Sequence, residues 1–264
     1  MGTFYVNPGA EWFQPDRERW ENEVPRTGME YANHTMSHSG GAGAEEIERE
    51  IIECGEFIAR FNPPSKTSPL MSYVTPGGVK EDRWTISDAR LAALREKLHL
   101  VTRPSTKGCV AGRDLNTAEE MFAQVEKALA EGSAEVVSYH GVGGGWISAA
   151  MDEFEKFLDR LCGVRDRVWV AGHMPIHKYQ TERDTAQVEI LQATPDQIRL
   201  TLTTQADPKL YDQPLTLRTS VPVDWSACRV RQGEREQTAP VAAGVAQYQA
   251  LPGEVPVLLG AAAR

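Results

Sequence analysis

Five of the six histidines in this 264-residue chain stand where imidazole chemistry is possible. His34 and His38 are four apart in Tyr31-Ala-Asn-His-Thr-Met-Ser-His38-Ser-Gly-Gly. On one helical turn that spacing puts both rings on one face, where two nitrogens reach a divalent ion at about 2.0–2.1 Å. Two unrelated surface histidines are the plainer reading of the spacing alone. His140 ends the apolar run Val136-Val-Ser-Tyr139 and opens into Gly141-Val-Gly-Gly-Gly-Trp146. Functional groups of α/β folds gather where strands end, and glycines let the backbone approach a ligand closely. His173 and His177 repeat the four-residue spacing around Pro175. They are a rival metal pair, weakened because proline is tolerated only near a helix start. His99 falls inside an expected buried strand and is given no role.

The elements that must position these groups fall into two textures. Up to about residue 185, β-rich runs alternate with amphipathic helices, the pattern of an α/β domain with mostly parallel strands. Strands are expected at Thr3–Asn7, Leu70–Thr75, His99–Thr102, Glu135–Tyr139 and Val168–Ala171. Helices are expected at Glu45–Phe61, where Ile47, Ile51, Cys54, Ile58 and Phe61 form one stripe, and at Thr117–Glu131. A third begins near Ser148 as its cap and buries Phe154, Phe157, Leu158 and Leu161. Residues 186–264 read as a small antiparallel β unit with strands at Val188–Leu191, Ile198–Thr204, Leu215–Ser220, Arg229–Arg231 and Val255–Leu259. Its expected core is Leu200, Leu202, Leu215, Leu217, Trp225, Val230, Tyr248 and Val257.

Composition narrows the partners. A net charge of -9 disfavours nucleic acid and anionic membrane, either of which is normally met by a basic face, so a carbohydrate or small amide substrate is expected. No run of 18 apolar residues occurs, and the opening Met1-Gly-Thr-Phe-Tyr-Val-Asn7 has no basic stretch before an apolar core, so a cytoplasmic protein is expected. Cys54, Cys109, Cys162 and Cys228 are scattered without CxxC spacing and read as reduced thiols.

In order along the chain, several segments resemble the polysaccharide deacetylase (NodB-homology) family. Gly2-Thr-Phe-Tyr-Val-Asn-Pro8 is similar to the family's second strand, and Thr27-Gly-Met-Glu-Tyr-Ala-Asn-His-Thr-Met-Ser-His38 resembles its metal-binding motif. Ser72-Tyr-Val-Thr-Pro-Gly-Gly78 is similar to the segment that usually carries an arginine before a proline and glycine. Val137-Ser-Tyr-His140 resembles the late motif supplying the catalytic acid, and Trp169 to Tyr179 the closing strand and helix. The resemblance spans roughly residues 2–184.

It implies an incomplete, distorted (β/α) barrel over residues 1–185, with residues 186–264 as an accessory β unit. It implies His34 and His38 as ligands of a divalent metal of the Zn kind, with Co or Mn as alternatives, and His140 as the acid that protonates a leaving amine. It also implies a substrate surface at Tyr73, Pro76, Gly141 and Trp146. The family's base and third ligand are adjacent aspartates upstream of the second strand, and this sequence contains no Asp-Asp. The expectation is therefore a truncated deacetylase or one that has lost its chemistry, with a non-catalytic carbohydrate-binding or scaffold protein as the alternative. Asp114 is a conceivable substitute carboxylate, although a solvated loop aspartate is the simpler reading. Tyr73 or Thr75 stands where the family has its arginine. A barrel short of one strand has unpaired edges, through which a homodimer is expected.

Overall fold

A computed structural model describes residues 1–61 and 69–262. The chain divides into two compact units, one formed by Met1–Phe61 with Met71–His173 and the other built on Met174–Arg264. Together they are a mixed α/β chain with one parallel sheet and one curled antiparallel sheet. No helix among the described residues is long and apolar enough to cross a membrane.

The first unit runs β1 (Thr3–Val6), α1 (Arg17–Asn22), β2 (Glu30–Asn33), α2 (Ala44–Ala59), β3 (Met71–Tyr73), α3 (Asp88–Lys97), β4 (Leu100–Thr102), α4 (Ala118–Glu131), β5 (Gly141–Val142), β6 (Ser148–Ala149) and α5 (Met151–Cys162). Strands β1 to β4 form a parallel sheet in chain order, with Val6, Asn33, Tyr73 and Thr102 in successive register. Parallel neighbours need crossover connections, and here helices α1, α2 and α3 follow β1, β2 and β3. These helices cover one face of the sheet. Ile47, Ile51, Cys54, Phe57 and Ile58 of α2 bury against Val6, Tyr31, Tyr73 and Leu100. Each such isoleucine, taken fully out of water, contributes roughly 2 kcal/mol.

Strand β2 lay hidden in the sequence, because its Glu-Tyr-Ala-Asn reads as neither a hydrophobic run nor an alternation. This strand replaces the helical turn expected for His34 and His38: both follow it, and Thr35 and His38 take φ of 67° and 62°, incompatible with a right-handed turn. Glu135–Tyr139 is not a strand either, since only Ser138 makes an isolated bridge, to Val110. Val137 and Tyr139 instead pack beside α4 and α5. Val168–Ala171 joins no ladder, and Trp169 and Val170 are exposed.

Two helix starts show which local signals hold. Thr117 caps α4 in a reciprocal box with Glu120, and Gly132, with φ of 65°, ends that helix. Ser148 does not cap α5. It lies in β6, paired with Gly141, and the cap position falls to Ala150 without a side-chain bond. His99 is exposed at the α3–β4 turn with φ of 51°, outside the strand expected to bury it.

The second unit follows α6 (His173–Asp184) with β7 (Gln187–Ala193), β8 (Gln197–Thr203), β9 (Leu215–Ser220), β10 (Ala227–Gln232), β11 (Arg235–Ala242), β12 (Val245–Ala250) and β13 (Gly253–Ala261). They form a seven-stranded sheet in the order β7-β8-β13-β10-β11-β12-β9, antiparallel throughout and curled into a half-barrel. Alternate residues fill a single core: Leu200, Leu202, Leu215, Trp225, Val230, Tyr248 and Val257 are buried and Leu217 packs at its margin. Strands β11 and β12 escaped the sequence reading because their Gln, Glu and Ala residues outnumber the β-branched Thr238, Val241 and Val245.

Candidate functional site

Because the parallel strands end in register, the residues just beyond them share one level: Asn7, His34, Val74 and Arg103. The ladder continues into this row, with Val74 N donating to Asn33 O at 3.0 Å and Arg103 N to Tyr73 O at 2.9 Å. This is the carboxyl edge of the sheet, where α/β folds place ligands.

The loop carrying His34 and His38 is tied from three sides. Asn7 Nδ2 donates to the carbonyls of His34 at 2.6 Å and Thr35 at 3.1 Å. Buried Asn33 receives Thr35 N at 3.0 Å and donates to Ile51 O of α2 at 2.8 Å. Glu50, also on α2, accepts from Met36 N through its backbone carbonyl and from Ser37 N and Oγ through its carboxylate. Two non-glycine residues in left-handed conformation persist here because the surroundings over-determine them.

His34 Nδ1 lies 2.9 Å from Val74 O. A carbonyl only accepts, so Nδ1 carries the hydrogen and Nε2 presents its lone pair, the orientation that metal-binding histidines use. Burial, foremost, lowers the His34 pKa from 6.5 to about 4, with the charges of His38, Arg103 and His140 acting the same way and the Val74 bond opposing them. His34 is therefore neutral at pH 7. The His38 ring stands 4.8 Å away, nearly perpendicular.

His140 joins this neighbourhood electrostatically, and its own pKa is lowered by burial and then by Arg113 and Arg103. Its ring makes an edge contact with Trp146, centroids 4.8 Å apart, at the tip of the loop between β5 and β6. Gly141 lies in β5, paired with Ser148 at the base of that loop.

Other expected residues lie elsewhere. Tyr73 is 1% exposed in the core beneath α2 and bonds Thr75, so it presents no surface to a substrate. Pro76 is buried. Asp114 is occupied in its own loop: it accepts from Arg113 at 3.0 and 2.9 Å and from Val110 N at 3.1 Å. His173 Nδ1 is 2.7 Å from Ser72 Oγ, and His177 Nε2 is 3.4 Å from the Tyr211 hydroxyl, so each histidine of the second pair has its own partner. Among the described residues no group of three or more His, Cys, Asp or Glu could hold a metal ion. His34 and His38 are two imidazoles, short of the three protein ligands usual in catalytic zinc sites.

Three features escaped the sequence reading. Arg103 lies over the Tyr5 ring at 5.8 Å and donates to Thr106 Oγ1 at 2.8 Å. Its place directly after the expected His99–Thr102 strand was the available signal. Tyr5, Ser72 and His173 form a polar chain on the sheet face opposite the helices, with Tyr5 OH 2.6 Å from Ser72 Oγ and the Tyr5 pKa pushed up to about 12 by burial. Trp12 makes an edge contact with His38 at 6.0 Å, and no spacing in the sequence connects the two.

No family model and no solved structure matches this chain. A stretch of 75 residues, 28% of the chain, is 33% identical to part of a gellan lyase from Bacillus sp. The matched stretch spans 3% of that protein's length.

Proposed function

We propose that the protein is a metal-dependent hydrolase that removes acetyl groups from the amide nitrogens of a carbohydrate, with the first unit an incomplete, distorted (β/α) barrel of the polysaccharide-deacetylase type. The observation that carries this reading is the neutral, carbonyl-oriented His34 beside His38 at the carboxyl edge of a parallel sheet, with His140 in the same electrostatic neighbourhood. The partial likeness to a gellan lyase accords with a carbohydrate substrate.

His34 and His38 would hold a divalent ion of the Zn kind, with Co or Mn as alternatives. Such an ion polarises an acetamide carbonyl and brings bound water towards a pKa of about 7. His140 starts neutral, because its pKa is lowered. It therefore serves as an acid only after taking the proton that the attacking water gives up as the new C–O bond forms, and it passes that proton to the departing amine nitrogen as the C–N bond breaks. Acetate and a free amine are the products. Arg103 adds a positive charge beside this centre. Release of acetate from N-acetylglucosamine oligomers with added Zn²⁺ or Co²⁺, abolished by His34→Ala, is the expected result. No acetate at any metal concentration overturns the hydrolase reading.

A second reading, a carbohydrate-binding protein without catalysis, is favoured by the two-histidine donor set. Zinc titration separates the two: micromolar occupancy counts against it, and sugar binding indifferent to both zinc and His34→Ala supports it.

A further inference from the structure

We propose that Arg103 is a recognition residue for a carboxylate, so that the ligand of the His34 site is an acidic sugar and not a neutral one. The inference rests on the carbohydrate reading of this site, not on hydrolysis there, and adds the charge of its ligand.

Strand alternation puts the two groups on one surface. Tyr5, Ala32, Ser72 and Val101 are level across β1 to β4, and His34 and Arg103 stand two residues beyond Ala32 and Val101, on the same face. The Tyr5 ring lies across that face, because its hydroxyl, starting from β1, comes within 2.6 Å of Ser72 Oγ in β3. Arg103 reaches the same ring from β4, its guanidinium carbon 5.8 Å from the centroid, and His34 meets it edge-on at 6.5 Å. One phenol ring thus has the imidazole and the guanidinium on its borders.

Arg103 is fixed in place but not neutralised. Its Nη1 donates to Thr106 Oγ1 at 2.8 Å, which anchors one corner of the guanidinium, and the Tyr5 ring supports its face. The Nε–Nη2 edge has no acceptor among the described residues, and neither nitrogen is sealed from solvent. Elsewhere in the chain that edge holds a carboxylate: Arg90 grips Glu48 at 2.5 and 2.9 Å, Arg113 grips Asp114 at 3.0 and 2.9 Å, and Arg183 grips Asp184. The sequence has 37 acidic residues against 28 basic ones, so acids to pair with are plentiful. A half-buried guanidinium at the carboxyl edge of the sheet, with this edge left open, reserves the place for a carboxylate of the ligand. The parallel N–H pair matches the two oxygens of that group, and one cation balances its one charge. A phosphate monoester carries nearly two charges and calls for more than one cation.

The test uses the full chain, with binding followed by tryptophan fluorescence and isothermal titration. The probes are a hyaluronan tetrasaccharide, which alternates glucuronic acid with N-acetylglucosamine, the same tetrasaccharide with its carboxylates methyl-esterified, chitotetraose, and 6-O-sulfated chitotetraose. The free acid is expected to bind about tenfold tighter than its ester and than chitotetraose, with the advantage shrinking as salt rises. Arg103→Gln should remove that advantage and leave chitotetraose affinity within about twofold of the parent, while Arg103→Lys, which keeps the charge without the fork, should retain only part of it. Near-ultraviolet dichroism of each variant reports whether the fold is intact, and the comparison of acid with ester on the parent protein needs no variant. Equal affinity for acid and ester, an advantage that survives in folded Arg103→Gln, tighter binding of the sulfate ester than of the acid, or no binding of any probe overturns the proposal. A carboxylate preference that depends on Arg103, with no acetate released, sinks the hydrolase reading and leaves this one standing. Acetate released from chitotetraose as fast as from the acid, by parent and Arg103→Gln alike, does the reverse.

Discussion

The parallel and antiparallel units dispose of polar groups in opposite ways. In the antiparallel unit, strands such as β8 and β10 alternate strictly, with Ile198, Leu200, Leu202, Cys228 and Val230 inward and Arg199, Arg229 and Arg231 outward. In the parallel unit, one sheet face is packed by helices, while the other carries Thr3, Tyr5 and Ser72, satisfied by Glu30 and His173. Polar side chains also cluster where its strands end. Burial of polar groups is tolerated there because each has a bond, and that satisfied network fixes the loops that carry the histidines.

If the antiparallel core is a single cluster, the largest effect comes from opening it. Leu259→Ala, at a fully buried position, should cost about 2–5 kcal/mol in denaturant unfolding. A loss below 1 kcal/mol would show that this core is divided like that of its neighbour.

The units should also part company with pH. His34 is held near 4 when folded against 6.5, so the unfolded chain binds its proton first. Its contribution is present above pH 6.5 and is lost as pH falls towards 4, at a cost of about 3 kcal/mol. Glu182 in α6 behaves oppositely: burial, and secondarily Asp212, raise it from 4.5 to about 7. Its contribution is present below pH 4.5 and is lost as pH rises through 7. Hydrogen exchange should therefore show the parallel unit loosening in acid and the antiparallel unit above neutrality. His34→Gln should flatten the first trend and Glu182→Gln the second, and coincident profiles would erase the distinction.

A smaller loss is expected from Asn33→Ala, which leaves Ile51 O and Thr35 N without their side-chain partner. Roughly 2 kcal/mol of stability should go, accompanied by weaker zinc binding in the same titration. Stability lost with zinc affinity intact would mean that the loop keeps its shape without this brace. Smallest is a gain. Ala243 and Gly244 join β11 to β12 with φ of 50° and 73°, a turn that suits Asn-Gly, so Ala243→Asn should raise stability by about 0.5 kcal/mol.

How legible these features were follows from periodicity. The α2 stripe and the alternation around Leu200 and Val257 are local signals, and each reappears in the structure. Strand β2 was invisible because Asn33 is buried to brace a loop, a tertiary role with no local pattern. The four-residue spacing of His34 and His38 suggested a helix, yet their rings meet through a strained loop after a strand. Glu135–Tyr139 looked like a strand because it is apolar, but its Val137 and Tyr139 serve the α4–α5 core instead. The alliance of Trp12 with His38 depends on the Gly9–Met36 bond, which no sequence window contains.

Glu50 couples the histidine loop to helix α2 through both its backbone and its side chain. The amides of Met36 and Ser37 therefore share the lifetime of that helix rather than that of a surface loop. Opening of α2 removes these three bonds from the loop, so the opening rate of this helix is a floor for the rate at which a ligand held by the loop escapes.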